Sequence, residues 1–152
     1  MLDGLAAARA EIADAATRAI RRAGAWRYPP LHPGDFAEDR LQRAAIAMID
    51  PFMPESAEAM TLVADADDSG APLDGAHRYA LRLSADGPPP TRASWSVSAG
   101  GEPIAGLRTD MVELEIPPRA APGNFAIALH VWEPTGSLID RMWRPPGIMR
   151  IR

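Results

Sequence analysis

From Leu62 onward the chain is cut into short runs in which apolar and polar side chains alternate. Glycine, proline or aspartate closes each run, and no helix-length segment separates one run from the next. A period of two places successive side chains on opposite faces, so such runs fold as strands with one dry and one wet side. In residues 77–83, His77, Tyr79, Leu81 and Leu83 share one face, against Arg78, Ala80 and Arg82. Trp95 and Val97 stand against Ser94, Ser96 and Ser98, and Val112, Leu114 and Ile116 stand against Glu113 and Glu115. Residues 125–132 carry little polarity on either face, which predicts a central strand, and residues 148–151 suit a last short one. Parallel strands need crossovers of a dozen or more residues, so this half of the chain is expected to be antiparallel.

The first third has a different period. Leu5, Ile12, Ala16 and Ile20 form one narrow stripe, predicting a helix over residues 2–23 that ends near Gly24. Trp26, Tyr28, Pro29, Pro30 and Pro33 then read as an extended linker, because each proline disfavours helix in the residue before it. Asp35 and Glu38 have capping-box spacing ahead of Leu41, Ala44, Ala45 and Met48, predicting a helix over about residues 36–49. Pro51 and Pro54 end it, and Pro54 suits the first position of a short helix reaching Met60. Helices first and strands afterwards predict an α+β fold: an antiparallel β-sandwich preceded by two or three N-terminal helices. The expected organisation is an N-terminal helix over residues 1–25 and a single sandwich domain over 26–152.

Several functions are excluded by what is missing. There is no cysteine, which removes disulfides, thiolate nucleophiles and thiolate metal sites. Every basic side chain is arginine, which removes lysine Schiff bases and the phosphate-cradling P-loop lysine. A formal net charge of −4 gives no general attraction to nucleic acid. Asp3, Arg9, Glu11 and Asp14 interrupt the N-terminal apolar stretch, and nothing approaches the ~18 apolar residues of a membrane span. The expectation is a soluble, cytoplasmic chain with no membrane, nucleic-acid or cofactor partner. The alanine-rich N-terminal helix is the expected contact with a second copy of the chain or another protein.

An ordered set of residues resembles the bacterial family known as domain of unknown function 1214. It comprises Trp26 before the proline loop, residues 39–44 (DRLQRA), Glu58-Ala59-Met60, the acidic turn 65–70, Leu73-Asp74-Gly75, His77-Arg78-Tyr79, the prolines 88–90, Trp95-Ser96 and Trp143-Arg144-Pro145-Pro146. The chain departs from the family at Ser94, where an aromatic is usual, and at Met60, where tyrosine is usual. It is also shorter between Trp95 and Pro122. The resemblance implies a jelly-roll type of sandwich and brings no established activity.

Candidate chemistry is sparse. Residues 65–70 (DADDSG) resemble the opening of a calcium loop, but the twelfth position is Ala76 and not the bidentate glutamate such loops use, so an inter-strand turn is expected. Asp74 lies three residues before His77, an Asp–His pair suited to general-base work, and Glu113 is the candidate second carboxylate of a hydrolase or carbohydrate-active enzyme. No serine sits in a nucleophile elbow, and His32, His77 and His130 have no local metal-ligand spacing, so no metal site is expected. Arg141, Arg144, Arg150 and Arg152 surround Trp143, and the first three are candidates for binding a carboxylate or phosphate through their forked donors. No catalytic set converges, so the reading is a non-catalytic binding or assembly module, with the hydrolase as the alternative.

Overall fold

A computed structural model describes residues 2–34, 36–83, 86–104, 113–119 and 122–151. The elements run α1 (Leu2–Ala19), β1 (Arg21–Ala23), β2 (Trp26–Tyr28), α2 (Arg40–Ile49), β3 (Ala59–Ala64), β4 (Arg78–Arg82), β5 (Thr91–Ala99), β6 (Glu102–Pro103), β7 (Glu113–Ile116), β8 (Ile127–Pro134), a 3-10 turn (Gly136–Leu138) and β9 (Gly147–Ile151). All strand pairs are antiparallel and fall into two sheets, a six-stranded one ordered β1-β2-β3-β8-β5-β6 and a three-stranded one ordered β7-β4-β9. No helix among the described residues is long and apolar enough to cross a membrane.

The central position of β8 follows from the low polarity of its two faces. Ile127, Leu129 and Val131 are fully buried, and Leu129 lies in register between Leu62 of β3 and Val97 of β5. These side chains join Tyr79, Leu81, Leu114, Ile116 and Ile148 of the smaller sheet in one hydrophobic core. Each large apolar side chain so buried contributes about 1.5–3 kcal/mol. Three aromatic residues anchor the segment before β9 through their polar ends: Trp26 Nε1 donates to Pro146 O at 2.7 Å, Tyr28 Oη to Trp143 O at 3.1 Å, and Trp143 Nε1 to Gly87 O at 3.2 Å. Burial pushes the Tyr28 hydroxyl up to about 12 against the opposing pull of Arg141, so it stays protonated as a donor.

The N-terminal third differs from the expectation in three places. The first helix stops at Ala19, and residues 21–28 form a hairpin instead of helix and linker. Trp26 and Tyr28 are each 2% exposed, and only an extended backbone turns both rings to the core. Gly24, at φ +59°, makes the tight reversal. The second helix starts at Arg40, not near Phe36. Ala37 has φ +43°, outside the helical region, and the Asp39 side chain caps the helix by accepting from Gln42 N at 2.8 Å. The expected cap Asp35 lies outside the described residues. No third helix follows Pro54: one turn forms, with Ala59 N donating to Glu55 O at 3.1 Å, and β3 begins at Ala59. Met60, Leu62 and Ala64 fill the core at a period of two, which a helix would not permit.

Candidate functional site

The six-stranded sheet has an inner face, built by Trp26, Tyr28, Met60, Leu62, Leu129, Val131 and Val97, and an outer face turned from the core. Along the outer face the registers align Arg22, Arg27, Val63 and Ala128 in one row, Thr61, His130 and Ser96 in the next, and Ala59, Trp132 and Ser94 in a third. Above the β1–β3 half of that face stand the ends of the two helices, which pack on each other. Between helix ends and strands runs a half-open groove of about 800 Å³. Thr17 and Ile20 come from the end of α1, and Ile49 and Asp50 from the end of α2. Met53, Pro54 and Ser56 come from the turn after it, and Arg22, Arg27, Ala59, Thr61 and Val63 from the sheet floor.

The groove exists because α2 ends where it does. Asp50 adopts an extended conformation, its N–H bonding Ile46 O, and its carboxylate accepts from Phe52 N at 2.9 Å, which turns the chain away before it reaches β3. The lining is apolar in the larger part, with the hydroxyls of Thr17, Ser56 and Thr61 and three charged groups among it, a mixture that small-molecule sites also use. Its charged members are Arg22, Arg27 and Asp50. Arg27 Nη1 bonds Asp65 Oδ2 at 2.5 Å, whereas Arg22 has no carboxylate partner among the described residues.

Beside the groove, His130 sits between two hydroxyls, Thr61 Oγ1 at 3.1 Å from Nδ1 and Ser98 Oγ at 3.1 Å from Nε2. Burial lowers the pKa of His130, so the imidazole is the neutral form that donates through one nitrogen and accepts through the other. A Ser–His contact invites comparison with a nucleophile and its base. The group on Nδ1 is a hydroxyl, however, with no charge to stabilise an imidazolium, and Ser98 is itself buried.

The candidates read from the sequence occupy other places. Asp74 and His77 share one turn, with His77 N donating to Asp74 O at 3.1 Å. The Asp74 carboxylate accepts from Ala76 N at 2.9 Å and Gly123 N at 3.3 Å, which holds its pKa below the usual range. His77 lies beside an open depression with Arg78, Pro118, Arg150 and Ile151. Glu113 is at the other end of β4, opposite Arg82 and bonded to its Nε at 2.5 Å. Five residues of strand separate His77 from Arg82, roughly 17 Å at about 3.4 Å per residue, so the fold does not bring Glu113 to the Asp74–His77 turn.

The arginines around Trp143 also diverge. Arg141 donates to Pro29 O at 3.1 Å and lies over the Tyr28 ring at 5.8 Å, with Arg21 nearby. Arg144 faces Asp86 at 3.7 Å, and Arg150, on β9, is near Asp67 and Asp74. Arg152 lies outside the described residues. The acidic turn is an inter-strand turn, as expected: Asp67 Oδ1 accepts from Ser69 N, Ser69 Oγ and Ala71 N, and Asp68 exchanges hydrogen bonds with the Ile148 backbone. Among the described residues no three His, Asp or Glu side chains gather as metal ligands would.

Sequence reasoning missed the groove because each wall supplies only ordinary residues. One signal was present in RRAGAWRY, where alternation about Gly24 would pair Arg22 with Arg27 across a hairpin.

A family model described as a protein of unknown function (DUF1214) matches residues 58–135, about half of the chain. That stretch includes the sheet floor from Ala59 to Val63 and the central strand β8. Among solved structures, the VPA0106 protein from Vibrio parahaemolyticus is similar at 16% identity and a TM-score of 0.56, over 74% of this chain and 35% of that one. The likeness is one of fold, and the chain spans about a third of that protein's length. No curated protein matches the chain.

Proposed function

The chain belongs to the DUF1214 family of proteins of unknown function, and on that premise we propose that it is a binding module whose ligand site is the groove between the helix ends and the outer sheet face. The observation that carries this reading is the groove itself: about 800 Å³ of half-open space, floored by one sheet and walled by both helix ends, with a mixed lining that is apolar in the larger part. That size and composition are those of small-molecule sites. The proposal treats the two sheets as a sandwich of jelly-roll type and the helical layer as its binding wall. The exposed first half of α1, where Leu5 is 63% exposed, remains available for a second copy or a protein partner.

Methyl NMR during titration with 1-octanol, a neutral amphiphile, tests the site. The proposal expects shifts centred on Ile20, Ile49, Met53 and Val63. Shifts centred on His77 and Ile151, or none at all, contradict it.

A further inference from the structure

Arg22 and Arg27 are directly paired across the β1–β2 hairpin, so their side chains leave the same face at adjacent positions. Like charges directly opposite each other destabilise a sheet. Both arginines line the groove, and Asp65 pairs with Arg27. The groove's other charged residue, Asp50, stands at the end of α2 with one oxygen committed to Phe52 N. Arg22 and Arg27 thus share the groove with the Asp50 carboxylate, Arg22 has no carboxylate partner among the described residues, and Ile20, Ile49, Met53 and Val63 supply apolar lining. A local rule broken with only partial compensation is a pointer to a functional site.

We propose that the groove takes an amphipathic monocarboxylate, such as a medium-chain fatty acid, with its carboxylate at Arg22 and Arg27 and its hydrocarbon chain along Ile49, Met53 and Val63. The inference rests on the groove being the ligand site. Forked guanidinium donors match the planar geometry of a carboxylate, and Arg22 is a guanidinium of the groove with no carboxylate partner among the described residues. An alkyl phosphate, with up to two charges, is less well matched.

Isothermal titration of the full chain with decanoate, 1-decanol, decyltrimethylammonium and decyl phosphate tests the class of ligand. Decanoate is expected to bind about tenfold or more tightly than 1-decanol, from charge-assisted hydrogen bonds to the arginines, and decyltrimethylammonium more weakly than either. Arg22→Gln should bring decanoate down to the affinity of 1-decanol without changing the latter, and Arg22→Lys should keep part of the preference. Val63→Phe and Ala59→Phe, each checked for a cooperative melt, should abolish binding of both. Equal affinity for decanoate and 1-decanol, abolished by the filling variants, overturns the carboxylate assignment and leaves the groove reading intact. Tighter binding of decyl phosphate than of decanoate also overturns that assignment. Binding that survives both filling variants in folded protein overturns the groove reading and the ligand class with it.

Discussion

Arg22 and Arg27 oppose each other as a directly registered pair on the outer face of the β1–β2 hairpin, while Trp26 and Tyr28, which flank Arg27 on β2, turn inward to bond the backbone at Pro146 and Trp143. One short hairpin thus anchors the core on one side and sets two like charges at the groove on the other. The hairpin is held in place by its buried aromatics, which lets its outer face carry an arrangement that costs stability.

That cost is measurable. Arg22→Gln removes the like-charge opposition and leaves the Arg27–Asp65 pair in place, so it should be neutral or stabilising by about 0.2–1 kcal/mol. Urea denaturation at low salt checks this, and a loss of stability would show that Arg22 is held by a favourable interaction.

Trp26 makes the opposite prediction. Trp26→Phe keeps most of the buried ring but leaves Pro146 O without its donor, which should cost about 1–3 kcal/mol on the same denaturation curve. A smaller loss would mean that the anchor acts through ring burial alone.

The acidic turn predicts a pH dependence. The Ser69 hydroxyl, with the Ala71 and Ser69 amides, lowers the pKa of Asp67, outweighing the effect of burial. A carboxylate with a lowered folded pKa contributes stability that is fully present above its unfolded value of about 3.9 and is lost as pH falls through the folded one. Asp67→Asn should therefore flatten the acid limb of the stability profile below about pH 4, while an unchanged limb would contradict the assignment.

His130 adds a second pH dependence, also on the acid side of neutrality. Its folded pKa is lowered by burial, so the unfolded chain takes up its proton first as pH falls below about 6.5, and stability declines until the folded group is protonated as well. In NMR titrations the His130 imidazole should show a midpoint below that of a free histidine. His130→Gln should remove this part of the decline. A midpoint at or above the free value would mean that a carboxylate reaches the ring.

The strands were the most legible part of the chain, because alternation and burial are written in the same residues. The low polarity of both faces of residues 125–132 placed β8 at the centre, and the alternation of Glu113 and Glu115 with Leu114 and Ile116 marked β7. The errors fell where tertiary burial overrides local preference. Trp26 and Tyr28 looked like linker beside their prolines, and became a strand because two aromatic rings could reach the core only that way. Pro54 looked like a helix start, yet the core needed Met60 and Leu62 at a period of two. The groove was the least legible feature, since its walls come from five segments and only their assembly leaves the space between them. Asp74, His77 and Glu113 looked like a set in the sequence, but the β4–β7 register sends Glu113 to the opposite end of the strand.

A crystal structure of the chain with decanoate bound would show what the groove holds and how. The expected density has the carboxylate within hydrogen-bond distance of the Arg22 and Arg27 guanidiniums and the alkyl chain between Ile49 and Val63. Density in the depression beside His77 and Arg150, or over Trp132, with the groove holding only solvent, would contradict it.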